Sequence, residues 1–113
     1  MKRLHKFIDR EIDQNAVRDE KPLAEMGIEI RYVPDEIEEF DELEFGFSEP
    51  EGNRTIIFTM VLESWKLKRV SLGYIPDGGD EDDMHAFSEA ELAQVMDKRG
   101  DTIVRFFETV TPG

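Results

Sequence analysis

The chain has 113 residues, no cysteine, and 27 Asp and Glu against 14 Lys and Arg, for a formal net charge of −13. A length near that of an average domain calls for a single domain, residues 1–113, around one hydrophobic core. The absence of cysteine excludes disulfides, thiolate metal sites and thiol catalysis, and the acidity opposes direct binding to nucleic-acid phosphates or anionic lipid.

The charge is not spread evenly. Residues 1–21 carry a net of +1, residues 22–53 a net of −10, residues 54–76 a net of +3, residues 77–99 a net of −6 and residues 100–113 a net of −1. Adaptation to high salt would distribute acid over every exposed face, whereas here almost all the excess falls in two segments separated by a slightly basic one.

In chain order, the start Met1-Lys2-Arg3-Leu4-His5-Lys6 is basic, but Asp9, Arg10, Glu11 and Asp13 place charges directly after it, so no secretory signal is expected. No apolar stretch approaches the roughly 20 residues of a membrane span. A cytoplasmic protein without membrane contact is the resulting expectation. Leu4, Phe7, Ile8 and Ile12 recur at three- and four-residue spacing, which predicts an amphipathic helix over residues 2–14. Residues 15–26 read as irregular, with a short turn at Leu23 and Met26. Gly27 opens a clean alternation, Ile28, Ile30 and Tyr32 against Glu29 and Arg31, and this predicts a half-buried strand ending at Pro34.

Asp35-Glu36-Ile37-Glu38 has the form of a helix start, and Ile37 and Phe40 extend it to one or two turns over residues 35–42. Leu43, Phe45 and Phe47 then switch to period two. A breaker-rich turn at residues 48–53 leads into Thr55–Glu63, apolar on both faces and therefore central in its sheet. A change of parity near Lys68-Arg69 predicts a bulge before an outgoing strand that stops at Pro76. Asp77–Asp83 reads as a solvent loop, and Ser88 with Glu91 forms a capping box ahead of the stripe Leu92, Val95, Met96, Arg99, Ile103, Phe106, Phe107 and Val110. That stripe favours a near-continuous helix through Gly100, the alternatives being two helices that meet there with Asp101 capping the second, or a strand over Ile103–Phe107. The expected fold is α+β: an N-terminal helix, a mostly antiparallel sheet of about four strands, and a C-terminal helical segment packed on the sheet. Phe7, Phe40, Phe45, Phe47, Phe58, Phe106 and Phe107 are the aromatic core candidates.

The candidate working surface is acidic. Its first part is Asp35, Glu36, Glu38, Glu39, Asp41, Glu42 and Glu44, with no Lys or Arg between Tyr32 and Asn53 to compensate them. On a helix, Glu38, Asp41 and Glu42 would form one row with neighbours about 5–6 Å apart at Cβ, comparable with successive phosphates of a nucleic-acid strand. Such a row costs a helix a few tenths of a kcal/mol per like-charged pair, so stability alone does not account for it. The second part is Asp80, Glu81, Asp82 and Asp83. Counted from Asp77, the calcium-loop positions 3 and 6 are Gly79 and Asp82, so the EF-hand pattern fails and no metal is assigned. His5 and His85 are the only histidines, and no serine sits in a nucleophile elbow, so no catalytic residue is assigned. Gly78-Gly79 is followed by acids rather than Lys or Ser/Thr, so no phosphate or dinucleotide cofactor is expected. The cations of Trp65-Lys66-Leu67-Lys68-Arg69 read as the outer face of a strand, paired in part with the first acidic segment.

The expectation from these residues is a non-enzymatic acidic protein. It would bind and inhibit a basic, nucleic-acid-handling partner by mimicking phosphate charge, in the manner of phage anti-restriction or anti-CRISPR proteins and nuclease-immunity proteins. A homodimeric acidic adaptor or chaperone is the alternative, and a small enzyme or ligand-binding domain using acidic residues is a further one.

Overall fold

In the computed structural model, which describes residues 2–112, five strands form one antiparallel meander in the order β1 to β5. They are β1 (Glu29–Tyr32), β2 (Phe40–Glu49), β3 (Arg54–Glu63), β4 (Lys66–Pro76) and β5 (His85–Ala86). A short helix, α1 (Glu20–Glu25), precedes the sheet, and a 22-residue helix, α2 (Glu89–Val110), follows it. The α+β architecture expected from the residue pattern is therefore the one observed, with a fifth, two-residue strand added at the edge.

The strand registers sort the sheet into two faces. On the inner face Ile30, Phe45, Phe58 and Leu72 form one cross-strand row and Leu43, Met60 and Val70 another. α2 lies on this face. Its Phe106 ring stands 4.7 Å from Phe45 and 4.8 Å from Phe58, and Phe107 meets Phe7 of the N-terminal segment at 5.6 Å. These aromatic contacts add to the area they bury and fix the helix over the middle of the sheet. α2 starts at the Ser88–Glu91 capping box, where each side chain accepts from the other's backbone N–H. It runs without a break through Gly100, whose missing Cβ leaves room for the Arg3 guanidinium against the helix. Arg3 is held in place by Asp101 at 2.6 Å.

The N-terminal helix is shorter than expected. Lys2–Phe7 is a 3-10 turn, the chain reverses at Asp9 (φ 70°), and residues 9–12 run extended along β4. Asp9 and Ile12 donate their N–H groups to the carbonyls of Leu67 (2.7 Å) and Trp65 (2.9 Å). A helix over residues 2–14 would stack Lys2, Lys6 and Arg10 at i,i+4, a like-charge row that the extended path avoids. Leu4, Phe7 and Ile12 are buried nonetheless. Lys68 pairs with Asp9 at 2.5 Å rather than with the acidic segment. Farther on, α1 ends in a paired C-terminal turn, with Ile28 N–H bonded to Leu23 O (2.8 Å) and Gly27 N–H to Ala24 O (2.9 Å), Gly27 taking φ 76°.

The predicted helix over residues 35–42 does not form. Residues 33–39 are irregular and Phe40 begins β2, whose ten residues all pair with β3. That ladder pairs the whole strand on one side, where two helical turns would have left Asp35–Asp41 with clustered like charges. Phe40 is consequently not a core residue but 64% exposed. The bulge near Lys68 is present, as a register shift opposite Val61 and Leu62. A second irregularity between Ile30 and Tyr32 turns Tyr32 to the outer face, away from the side predicted by simple alternation.

α2 is also pinned by charge. Glu49, only 4% exposed, receives Arg54 Nε at 2.7 Å and lies 3.9 Å from Arg99 of α2, while Arg99 also pairs with Glu51. The Arg54 guanidinium lies over both the Tyr74 and Phe87 rings, at 5.2 and 5.1 Å from their centroids. Removing the buried anion leaves Arg54 without a carboxylate and Arg99 with Glu51 alone. Glu49→Ala should therefore cost about 3–5 kcal/mol in urea unfolding, whereas Glu51→Ala, at the exposed end of the same network, should cost about 1 kcal/mol or less.

Candidate interaction surface

The outer face of the sheet carries no helix, and its composition follows from the strand registers. One cross-strand row reads Tyr32, Glu44, Thr59 and Ser71, and the next reads Glu29, Gly46, Ile57, Gly73 and Ala86. Toward the β3–β4 turn come Glu42 opposite Val61, and Phe40 opposite Glu63. Ile57 is apolar, points to this face, and is completely buried. Two glycines make that burial achievable. A Cβ on Gly46 would stand 3.0 Å from the Ile57 side chain and 3.1 Å from Cδ of Arg31, so the Arg31 stem lies across the strand beside Ile57. A Cβ on Gly73 would stand 2.7 Å from the carbonyl oxygen of His85 and 3.5 Å from Cγ of Met84, so the segment entering β5 crosses the other side.

This covering arrangement joins the two acidic segments. Arg31 pairs with Glu29 at 3.1 Å and with Glu81 at 3.6 Å, which ties residues 77–84 to β1. The expected solvent loop is exposed throughout and contains a capped 3-10 turn, Glu81–Asp83, with Asp80 and Asp83 exchanging side-chain-to-backbone hydrogen bonds. Burial raises the Glu44 carboxyl above its usual pKa, the Glu81 charge raises it further, Arg31 offsets part of this, and Glu42 adds a last upward push. Glu42, Glu44 and Glu81 thus form one electrostatic group, with Arg31 as the cation among them.

The remaining candidates have other places. Asp35, Glu36, Glu38 and Glu39 are exposed in the β1–β2 connection, anchored by buried Ile37 and by Arg18, which donates to the carbonyls of Pro34 (3.0 Å) and Asp35 (2.7 Å). Glu39 accepts from the Ser64 hydroxyl at 3.2 Å. Asp41 shares its strand with Glu42 but belongs to the opposite face, and its carboxylate accepts from the N–H of Glu38 (3.3 Å) and of Glu42 (2.9 Å). The helical row Glu38–Asp41–Glu42 therefore does not exist, and Asp41 serves as a local cap. Asp80 and Asp83 likewise engage carboxylate oxygens within their own turn, while Asp82 is exposed at its tip. Sequence reasoning missed Glu29, Arg31, Tyr32, Glu63 and the surface position of Phe40. For Glu29 and Glu63 the signal was available in the period-two alternation, but the bulge that redirects Tyr32 leaves no mark in composition.

Among the described residues, no three His, Asp or Glu side chains converge as metal ligands would. His85 stacks on Tyr74 with ring centroids 5.3 Å apart. No described helix is long and apolar enough to cross a membrane. Compared with protein-family models, with curated proteins and with solved structures, the chain matches none.

Because Glu44 has a raised pKa in the folded state, its ionisation opposes folding. The destabilisation is absent below the unfolded-state pKa and grows as pH rises through the carboxylate range to the folded pKa. Glu44→Gln should raise the Tm at pH 7, and the difference from wild type should shrink as pH is lowered through that range.

Proposed function

We propose that this chain is a non-enzymatic acidic protein that binds and inhibits a basic, nucleic-acid-handling protein in the cytoplasm, presenting carboxylates where that partner expects phosphates. The observation that carries this reading is the meeting of Glu42 and Glu44 with Glu81 on one sheet face, with Arg31 as the cation among them. On a strand, Glu42 and Glu44 are spaced about 6.8 Å apart along one face. That spacing suits two successive Lys or Arg contacts, and the sheet holds it more rigidly than a surface helix would. An acidic field of this kind speeds encounter with a cationic partner and discriminates against anionic ones. The cysteine-free composition is in keeping with a reducing compartment.

The reading is tested by immobilising the chain, passing host lysate over it at about 50 and about 200 mM salt, and identifying what is retained. Retention of a basic nucleic-acid-binding protein is expected, with sharply less at the higher salt. Duplex DNA should compete it off, and the retained protein's activity on nucleic acid should fall when the chain is added. Combined reversal of Glu42, Glu44 and Glu81 to Lys should abolish retention with the circular dichroism spectrum unchanged. Retention indifferent to salt, to DNA and to the reversal would contradict the proposal.

A further inference from the structure

The outer sheet face carries more than charge. Tyr32 and Phe40, 51% and 64% exposed, are the two aromatic side chains that it leaves in solvent, beside Met84, 47% exposed, on the segment entering β5. Tyr32 stands opposite Glu44, and Phe40 lies two residues before Glu42 on the same face of β2. The two rings therefore bracket the carboxylate pair, with half-buried Val61 and exposed Glu63 completing the patch from β3. Exposed aromatics cost solvation free energy in the isolated protein, and the core offers neither ring a place. Among the described residues, Tyr32, Phe40, Glu42 and Glu63 stay exposed on this part of the sheet, while Arg31 and the segment entering β5 cover the adjoining part over Ile57. The charges are as incompletely matched as the rings. Arg31 already serves Glu29 and Glu81, and Glu44 is left with a raised pKa between them.

Building on the function proposed above, we infer that Tyr32, Phe40, Glu42, Glu44, Val61 and Glu63 form the docking face for an extended, arginine-containing segment of the partner protein. Charge complementarity selects the cation and the aromatics select arginine over lysine. A guanidinium can pair with a carboxylate through two parallel N–H groups while its plane stacks on a ring, and an ammonium can do neither as well. The geometry selects an extended segment. Side chains two residues apart on a strand repeat at about 6.8 Å, the same interval that separates Glu42 from Glu44, so an Arg-x-Arg segment lying along β2 brings each guanidinium over one carboxylate. Phe40 beyond Glu42 and Tyr32 beside Glu44 then shield the pair from water on two sides.

The face can be tested without knowing the partner, by titrating the 15N-labelled chain with two synthetic nonapeptides of equal charge, one alternating Arg and Gly and the other alternating Lys and Gly. Saturable shifts are expected at residues 32, 40–44 and 61–63, with the Arg peptide binding about fivefold more tightly than the Lys peptide. Glu42→Gln with Glu44→Gln should weaken the Arg peptide about tenfold, and Phe40→Ser, which changes no charge, about fivefold. Glu25→Gln with Glu108→Gln, an equal loss of charge elsewhere, should change affinity less than about twofold. Amide spectra of each variant establish that the fold persists. Equal losses from the two Gln pairs, no loss from Phe40→Ser, shifts spread over all acidic segments, or no binding at low salt would each overturn the proposal. So would a wild-type dimer in sedimentation that Phe40→Ser converts to monomer, because a second copy would then be the occupant. If the peptide maps as expected but the lysate yields no nucleic-acid-binding protein, the inhibitor reading fails and the arginine-docking face stands. If such a protein is retained equally by the Phe40→Ser chain, the docking face fails and the inhibitor reading stands.

Discussion

The structure depends on a strand that is apolar on both sides. β3 directs Ile56, Phe58, Met60 and Leu62 inward and Ile57 outward, and each of these five is almost completely buried. A long helix with paired phenylalanines suffices for the inner face. The outer face has no second helix, so Ile57 is buried by smaller parts: glycines on both flanking strands let an arginine stem and the approach to β5 come down onto it. The core cluster of the inner face excludes Ile57 and Ile75, both buried all the same.

The distribution of charge on the outer face is a consequence. The segment that covers Ile57 brings Glu81 with it, and the arginine that covers it from the other side pairs with Glu81. Two acidic stretches far apart in sequence thereby share one face. The fold tolerates their repulsion at Glu44 instead of neutralising it, although the same chain neutralises Glu49 thoroughly with two arginines. Inside the sheet–helix layer a lone carboxylate would be severely destabilising, whereas at the surface water screens much of the cost. That difference explains why a chain so acidic can keep an unpaired group on an ordered sheet.

Much of this was legible in the residues. The apolar run from Thr55 to Glu63 and the capped stripe from Ser88 to Val110 located β3 and α2 nearly to the residue, because a central strand is buried on both faces and burial on a helix imposes a repeat that solvent does not. The failures came where a local signal competed with a distant partner. The start of β2 has helix-like spacing and a capping pattern, yet its pairing with β3 decided the outcome. Leu4, Phe7 and Ile12 were recognisable as buried, but their spacing could not reveal that β4 would draw residues 9–12 into an extended path. In the candidate surface the acids were conspicuous and their grouping was not. Asp41 and Glu42 are adjacent in sequence and opposite in role, and the partner of Glu81 is Arg31, far away along the chain.

The central claim is that the two acidic segments occupy one face because residues 77–84 lie against β4 on the outer face and the Arg31 side chain reaches across β2 to Glu81. A chain without cysteine permits a single spin label at Asp82→Cys, read out as paramagnetic broadening of backbone amides. The account predicts strong broadening at Arg31, Tyr32 and Glu44 of β1 and β2 and little at Val17 or Leu23 on the opposite side of the sheet. Broadening confined to the label's sequence neighbours and β5, with β1 and β2 untouched, would contradict it.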